Sequence, residues 1–428
     1  MKHNIQVSVV IFELVSLLSI IIELFLSSIF VNNYIFYFAG LICLLQIAFI
    51  SWNHRSNPLL FAVSFFILYF VYSVVVKVYF CIDDLPFIFQ YTSVSKNELI
   101  QDALIVQVFF CIYAFSINGE FNIDLHIFEK NMRSNKYIVW ICSLYCIFSP
   151  FVFYRASNGF GVRGSISSPL YEYTCLFLLI GLIYSGRKSN NLILLVISSG
   201  FWCLHGFIYG ERAPALTAII IWGCYLFFPK ITSKRILIYS LIGVVVFTII
   251  GSFRGLSFFS IEGLQSVLRS ILKEKFASDT AYYSYQAGNA IARFEHFNSI
   301  WDRIGYAVGY LFYIFKGGSS KAGNLANVVQ KHPGTFHQGG GWIMFYSHFW
   351  GGMFGVIIFG FYIVFLFWKI FNISDSKNYF KNYLALYITA SVPRWFLYSP
   401  APITRSIFVF SMLYFLFNII YKLTLKKF

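Results

Sequence analysis

Residues 192–228 read LILLVISSGFWCLHGFIYGERAPALTAIIIWGCYLFF, two apolar runs at 192–208 and 213–228 with a short polar break between them. A helix needs about 20 apolar residues to cross a hydrocarbon layer of ~30 Å, and each run is close to that length. The runs are continuous and lack the alternation of outer-membrane strands, so they favour helices over a barrel. This stretch therefore predicts two membrane-spanning helices joined by a tight turn.

The same pattern repeats along the whole chain. Its 428 residues are 58% hydrophobic and only 11% charged, which is more apolar surface than a soluble core of this size could bury. We expect an all-α polytopic membrane protein with about 12 transmembrane helices. The first run is expected to be retained, because no A-x-A-like cleavage site follows it. The predicted spans are 8–30, 35–51, 58–77, 101–118, 137–153, 169–185, 192–208, 213–228, 236–251, 342–368, 383–397 and 403–421.

The positions of lysine and arginine predict the orientation. If the N-terminus is cytoplasmic, every inside segment carries at least one Lys or Arg, which is the positive-inside pattern with an even number of spans. Both termini are therefore expected in the cytoplasm, with residues 1–428 forming a single membrane domain. Topology and attraction to anionic lipid account for the net charge of +15, so no nucleic-acid partner is expected.

The predicted outer face is unusually rich in arginine. A planar guanidinium binds phosphate or carboxylate oxygens bidentately, and the topology rule alone would leave these positions without positive charge. We therefore expect an anionic ligand, such as a lipid-linked pyrophosphate. The alternative is that these arginines reach lipid headgroups or pair with Glu and Asp, above all Arg394 and Arg405. The outer arginines are Arg155, Arg163, Arg212, Arg254, Arg269, Arg293, Arg303, Arg394 and Arg405.

Metal and disulfide chemistry finds little support in the sequence. The eight cysteines lie almost entirely in apolar runs without a C-x-x-C motif, and the eight histidines show no ligand spacing such as H-E-x-x-H. The cysteines are interpreted as small core residues. No metal site and no cofactor are expected.

Residues 252–341 form the one large break in hydropathy and are expected to be a large, partly helical periplasmic loop. Helical spacing predicts an amphipathic interfacial helix around residues 291–303. The run IGYAVGYLFYIF at 304–315 is about a dozen residues, too short to cross, and is expected to be re-entrant or to lie on the surface. Aromatic residues such as Tyr282 could stack on sugars, or could anchor the loop among headgroups.

Several outer side chains could accept a proton from an attacking hydroxyl, and the sequence does not choose among them. They are Glu262, Asp279, Glu295, His296, Asp302 and His337.

Two segments carry a family resemblance. YGERAPALTAIIIWG at 209–223 resembles the arginine-bearing helix start of bacterial O-antigen polymerases of the Wzy type and of the related O-antigen ligases. GTFHQGGGWIMFYSHFWGGMFGVIIFGF at 334–361 resembles the end of their periplasmic loop, where a His-bearing segment runs into a helix. Arg212 and Gly223 match the arginine–glycine spacing of such polymerases, although Arg163 and Arg254 have no glycine at that distance.

The resemblance implies a membrane-embedded glycosyltransferase of GT-C-like architecture in the bacterial inner membrane. It would polymerise undecaprenyl-pyrophosphate-linked repeat units into O-antigen or capsular polysaccharide at the periplasmic face, with membrane lipids, a chain-length regulator and a flippase as partners. Metal-free departure of a pyrophosphate needs fixed cations. We expect Arg212 and Arg254 first, then Arg163, as its ligands, and Glu211 and His337 as acid–base or acceptor-orienting groups.

Position supports two of these choices. Arg254 directly follows the run SLIGVVVFTIIG, where a lipid pyrophosphate must lie, and Arg163 lies in SNGFGVRGSISS, whose glycines let backbone amides approach an anion. The alternative for Glu211 and Arg212 is an ordinary turn between two helices. The further expected substrate-binding residues are Arg155, Arg293, Glu295 and Tyr282.

Three other functions remain open. An O-antigen ligase has the same architecture, but its His-Asn style loop signature is here His337-Gln338. A lipid-linked oligosaccharide flippase would use polar groups inside the spans, such as Glu13, Glu23 and His205. A non-catalytic assembly subunit would leave the outer arginines unexplained.

Overall fold

The structure is a computed structural model, and it describes most of the chain in separate stretches. These are residues 2–29, 33–80, 96–118, 133–155, 166–209, 212–227, 277–293, 299–316, 340–372 and 378–425, with short pieces at 235, 237–239, 241–243, 265 and 325.

Within these residues almost all regular structure is helical. The helices are α1 (Lys2–Ile29), α2 (Asn33–Asn53), α3 (Pro58–Val74), α4 (Lys96–Ala114), α5 (Lys136–Phe153), α6 (Pro169–Glu172), α7 (Thr174–Ile183), α8 (Ser189–Ile208), α9 (Arg212–Phe227), α10 (Asp279–Ala292), α11 (Ile300–Lys316), α12 (Ile343–Phe371), α13 (Tyr379–Ala390), α14 (Val392–Trp395) and α15 (Ala401–Leu425). A two-residue antiparallel pair joins β1 (Tyr154–Arg155) to β2 (Ile166–Ser167).

The all-α, polytopic membrane class predicted from the sequence is confirmed. Eight helices among the described residues are long and apolar enough to cross a membrane, and two shorter apolar helices lie at Pro169–Ile183 and Ala213–Leu226. The predicted span at 236–251 falls mostly outside the described residues. The eight are Val7–Ser27, Tyr34–Ser56, Pro58–Tyr79, Lys96–Asn118, Lys136–Phe153, Ser189–Ile208, Ile343–Phe371 and Ala401–Leu425.

The run predicted as one span at 383–397 is instead two helices. Helix α13 ends at Ala390, Ser391 forms a turn, and the short helix α14 follows. Pro393 explains the break, because proline has no N–H to continue the helical hydrogen bonds and its ring clashes with the preceding turn.

Helix beginnings follow local capping chemistry. The Asn57 side chain accepts hydrogen bonds from the backbone N–H groups of Leu59 and Leu60, each at 3.1 Å, and Pro58 occupies the first turn of α3. The Asn135 side chain caps α5 in the same way. Asparagine at the cap and proline in the first turn both favour the start of a helix at these positions.

Helix α4 lies at the centre of the bundle, packed against α1, α2 and α12. Small residues let neighbouring helices approach closely: a Cβ at Gly40 would overlap the ring of Tyr79, and one at Gly360 would crowd Ile112. The outer side of α1 exposes large apolar residues, including Leu14, Leu18 and Phe25, as a lipid-facing helix does.

The predicted amphipathic stripe around residues 291–303 does not lie on one helix. Helix α10 ends at Ala292 and α11 begins at Ile300. The break has a local cause, because Asp302 accepts hydrogen bonds from the backbone N–H and the hydroxyl of Ser299, at 3.1 and 3.4 Å, and so caps a new helix start. Helix α11 is also longer than the dozen residues predicted, and Val308 and Phe312 are exposed on one side of it.

Helix α12 is interrupted at two glycines. Gly351 and Gly352 have non-helical backbone angles, and Gly352, with φ 59° and ψ −148°, lies in a region that essentially only glycine adopts. A Cβ at Gly355 would overlap the carbonyl oxygen of Ser347. Glycine at this position therefore lets the backbone on the two sides of the break lie close together. The predicted span at 342–368 therefore contains a break.

We expect Gly352→Ala to destabilise the protein by about 1–3 kcal/mol, because alanine cannot adopt this backbone conformation without strain. Thermal unfolding of the purified protein in detergent, followed by tryptophan fluorescence, measures the effect. Gly305→Ala is the matched control, since Gly305 lies in α11 with open space around it and alanine favours helix. Equal unfolding midpoints for the two variants would contradict the assigned strain.

Candidate functional site

Polar side chains gather where α3 ends and α4 begins. The Tyr79 hydroxyl lies 2.9 Å from the Leu99 carbonyl oxygen and 3.0 Å from the Tyr285 hydroxyl of α10. The backbone N–H of Ile343 donates to the carbonyl oxygen of Phe396, which directly follows α14, at 3.1 Å. This bond places the start of α12 and the end of α14 at the same end of the helix bundle. We call this end of the bundle, defined by Tyr79, Leu99 and Tyr285, the Tyr285 end.

The opposite end of the bundle is held by a separate set of contacts. Arg133 donates to the Tyr414 hydroxyl at 3.1 Å, and Asn135 donates to Thr424 at 2.8 Å. Ser134 forms an isolated β-bridge with Ser185. Arg133 belongs to the cations predicted to face inside, whereas the groups at the Tyr285 end come from segments predicted to face outside.

The best-defined charged site lies between α4 and α10 at the Tyr285 end. The Arg293 guanidinium contacts Asp102 Oδ2 at 3.2 Å and Glu98 Oε1 at 3.5 Å. The Asn289 side-chain amide donates to the same Asp102 oxygen. Glu98 and Asp102 are one helical turn apart, as are Asn289 and Arg293, so two adjacent turns face each other. We call these four residues the Asp102 cluster.

Burial makes the Asp102 cluster significant for folding. The side chain of Asp102 is 2% exposed, whereas those of Arg293 and Glu98 are 24% and 36% exposed. A carboxylate so deeply buried needs a partner that neutralises its charge, and Arg293 provides it from the more exposed side. Asp102 and Glu98 thereby tie a span to the region predicted as the periplasmic loop.

Arg293 was expected to bind substrate. Its contacts in the structure are instead the pairing with Glu and Asp that was the alternative for the outer arginines. Its guanidinium engages two carboxylates of α4, which offset its positive charge. The role of Arg293 toward substrate remains a prediction.

The tyrosines beside the Asp102 cluster are interior residues. Tyr285 is 2% exposed, and burial, together with the nearby Tyr79 and Asp102, raises the pKa of its hydroxyl well above the usual range. Tyr282 is 1% exposed, and its hydroxyl accepts from Gln286 at 3.4 Å. The stacking role expected for Tyr282 would require movement of its surroundings, since no ring face is open to a sugar.

A second polar region joins two segments that carry predicted arginines. The Tyr154 hydroxyl donates to the Tyr209 carbonyl oxygen at 2.8 Å, which connects β1 to the turn before α9. Arg155, in β1, directly follows Tyr154, and Arg212, the first residue of α9, lies three residues after Tyr209. We call this contact the Tyr154–Tyr209 junction. It brings the backbone near Arg155 and Arg212 together.

The Tyr154–Tyr209 junction is lined by aromatic rings and a histidine. The His205 ring meets Tyr154 edge-on at 5.1 Å between centroids and lies 4.6 Å from the ring of Tyr209. Its Nδ1 is 3.5 Å from the Tyr171 hydroxyl. Tyr171 lies in helix α6, and the next residue of that helix, Glu172, forms an ion pair with Arg394 of α14. The junction is thus linked by ring contacts and one ion pair to α14.

Arg394 and Arg405 both have partners within the protein. Arg394 pairs with Glu172. Arg405 donates to the backbone carbonyl oxygens of Tyr313 and Ile314, each at 3.0 Å, near the end of α11. A cation at this position satisfies the last carbonyl groups of a helix and complements its dipole.

Several expected site residues lie outside the described residues, and their roles stay predictions. For Arg155 and Arg212 the structure gives the backbone conformation alone. The residues outside are Glu211, Arg254, His337, Arg163 and Glu295.

The sequence reasoning missed Glu98, Asp102 and Asn289. A signal was available, because Asp102 falls inside the apolar run predicted as a span, and an ionisable residue there is a functional candidate by default. The partner of Asp102 could not be predicted from the sequence, because Arg293 lies far from it along the chain. Over the stretches that the structure covers, no three His, Cys, Asp or Glu side chains cluster as metal ligands.

No family model, curated protein or solved structure matches this chain.

A double-mutant cycle tests the Asp102 cluster. We expect Asp102→Asn and Arg293→Gln each to destabilise the protein, and the double variant to lose less than the sum, with a coupling free energy of about 0.5–3 kcal/mol. Unfolding midpoints in detergent provide the measurement. The control cycle pairs Asp102→Asn with Arg405→Gln, which shares no partner with Asp102 and should be additive. Additivity in both cycles would show that the pair is not coupled.

Proposed function

We propose that this chain is a membrane-embedded glycosyltransferase that polymerises undecaprenyl-pyrophosphate-linked oligosaccharide repeat units. The product would be an O-antigen or capsular polysaccharide, made at the periplasmic face of the bacterial inner membrane. The observation that carries the proposal is the Tyr154–Tyr209 junction, where backbone segments bearing Arg155 and Arg212 meet.

The proposed chemistry needs positive charge at the membrane boundary. The glycosidic bond between the growing chain and its lipid pyrophosphate breaks, and the acceptor hydroxyl of a second lipid-linked unit forms the new bond. Negative charge grows on the departing pyrophosphate, so fixed guanidinium groups stabilise the transition state more than the ground state. In this proposal Arg212, Arg254 and Arg163 bind the pyrophosphate, with Arg155 and Arg293 nearby.

The acceptor must lose a proton as its oxygen attacks. Glu211 or His337 would take that proton in the proposed mechanism, because each lies beside the arginine-bearing or glycine-rich segments of the predicted outer face. Glu295 would contact the sugar, and Tyr282, which is 1% exposed, would do so only after its surroundings move.

The proposed function also requires a particular membrane topology. We propose about 12 spans in a GT-C-like arrangement, a large periplasmic loop at 252–341 and both termini in the cytoplasm. Support comes from the separation of polar groups between the Tyr285 end and the end held by Arg133 and Tyr414. The Asp102 cluster would fix the base of the loop, since it ties α10 to α4.

One observation favours a second candidate, a lipid-linked oligosaccharide flippase. Glu23 is fully buried within the first span and bonded to Gln107, and transporters use such intramembrane carboxylates. The phenotype of a deletion strain separates the candidates: surface glycan of a single repeat indicates a lost polymerase, and units trapped on the cytoplasmic side indicate a lost flippase. Lipid-linked long chains that never reach lipid A core indicate a lost O-antigen ligase.

The direct test uses purified protein and defined lipid-linked repeat units, with and without a chelator. We expect a ladder of products in both conditions, because the arginines replace a metal as the stabilising cations. Arg212→Ala should slow polymerisation by about 100-fold or more, as does the loss of one transition-state donor in other enzymes. Arg212→Lys should also shorten the ladder, because lysine lacks the planar fork.

Arg55→Lys serves as the matched control, since Arg55 is exposed in the short 3-10 turn that precedes α3 and donates to the Trp52 carbonyl oxygen. Its ladder should equal that of the wild type. A normal ladder from Arg212→Ala would remove Arg212 from the site, and the absence of any product from the wild type would exclude the polymerase assignment.

A further inference from the structure

The inward side of helix α1 is polar, which is unusual for a span with so much lipid-facing surface. Ser16, Ser19 and Glu23 are 3%, 5% and 0% exposed and point toward α2 and α4, while the opposite side carries exposed leucine, isoleucine and valine. A span normally directs polar groups inward only where another polar group receives them. The inward polar residues of α1 therefore mark a polar seam with its neighbours.

Glu23 has a single side-chain partner in this seam. Both of its carboxylate oxygens lie 2.9 Å from the side-chain nitrogen of Gln107 on α4. That same nitrogen also lies 3.3 Å from the Ala39 carbonyl oxygen on α2. Within the described part of the chain no lysine, arginine or histidine pairs with Glu23. One amide group thus serves three oxygen atoms.

The seam has more acceptors than donors. The Gln107 side-chain oxygen is buried without a hydrogen-bond donor among the described residues, and Gln107 itself is 0% exposed. Exchanging the oxygen and nitrogen of this amide gives no relief, since the oxygen would then face Glu23 and the Ala39 carbonyl. A donor or a positive charge is needed to complete this arrangement.

The excess of acceptors extends to α2 and to the earlier part of α1. Gln46 donates to the Gln107 carbonyl oxygen at 3.5 Å and to Cys111 at 3.6 Å, and its own side-chain oxygen has no donor in the described stretches. On α1, one carboxylate oxygen of Glu13 is also buried without a hydrogen-bond donor among the described residues. Among the described side chains of α1, α2 and α4, the buried polar atoms without a partner are all carboxylate or amide oxygens.

We propose that the Glu23 carboxylate, lying in a seam that is short of hydrogen-bond donors, binds one monovalent cation, either Na⁺ or a proton. A single positive charge neutralises the buried carboxylate and supplies what the surrounding oxygens lack. The cation also secures α1, because the polar seam is the side of this peripheral helix that faces the bundle. The site does not depend on the proposed glycosyltransferase function.

Other titratable groups surround Glu23 and have to be separated from it. Cys43 faces it from α2, and Tyr79 lies beyond Cys43. Helix α4 contributes Asp102 and Cys111, and α1 itself contributes Glu13. Comparison with a variant altered only at Glu23 removes their contribution.

The experiment measures thermal unfolding of the full-length protein in detergent. A cation that binds the folded state alone raises the unfolding midpoint by mass action. If the ion is Na⁺, replacing N-methylglucamine chloride with NaCl at constant ionic strength and pH raises the midpoint. If it is a proton, Na⁺ has no effect and the midpoint rises as the pH falls, because folding then takes up a proton.

The variants decide whether the site is the cause. Glu23→Gln keeps the shape and removes the charge, so it should abolish a Na⁺ response and should reduce a pH response to the part that the other titratable groups contribute. Asp302→Asn, which removes an exposed carboxylate of α11, should leave the response intact. Gln107→Met removes the side chain that donates to the ionised carboxylate, so it should strengthen the response to either ion.

The proposal is overturned if the wild type responds to neither ion. It is also overturned if Glu23→Gln responds as the wild type does, or if Gln107→Met leaves the response unchanged. Should Glu23→Gln fail to fold, Gln107→Met alone still decides the outcome, since it leaves the carboxylate in place.

Discussion

Polar groups buried in an apolar layer must find their partners within the protein, and helix α4 meets this constraint on two sides. Toward α10 it presents Asp102, which Arg293 neutralises at 3.2 Å. Toward α1 and α2 it presents Gln107, which contacts Glu23 at 2.9 Å. The packing of the helices around α4 depends on these contacts, because separating them would leave a carboxylate in hydrocarbon without a partner. The central position of α4 follows from its polar residues as much as from its apolar ones.

The spans could be predicted from the sequence because hydrophobic length is a local property. Runs such as 192–208 and 137–153 agree with helices α8 and α5 to within a few residues. The sequence was less informative where a backbone effect divides an apolar run, as Pro393 does between α13 and α14 and as Gly351 and Gly352 do within α12. Composition alone does not report such breaks.

The candidate site was predicted only in part, for a physical reason. The outer arginines stand out in the sequence, since the positive-inside rule makes them unexpected. Their partners do not, because the contact of Arg293 with Asp102 joins residues far apart in the chain. Glu23 was noticed as an intramembrane carboxylate, but its shortage of donors appears only when Gln107 and Ala39 are seen around it. The charged residues can be counted from a sequence, but the residues that neutralise or hydrogen-bond them are known only from the folded structure.

The break in α12 resolves a mismatch between the length of the apolar run and the thickness of the membrane. An unbroken helix over Ile343–Phe371 would extend for about 44 Å, well beyond a hydrocarbon layer of ~30 Å. The two glycines divide it, so that the first part packs Phe345 against Tyr285 and Phe349 against Tyr306. The remainder, from residue 353 onward, has a length of about 28 Å, close to the thickness of the hydrocarbon layer. One long apolar run thus supplies both a helix long enough to cross the membrane and a short segment that packs against α10 and α11.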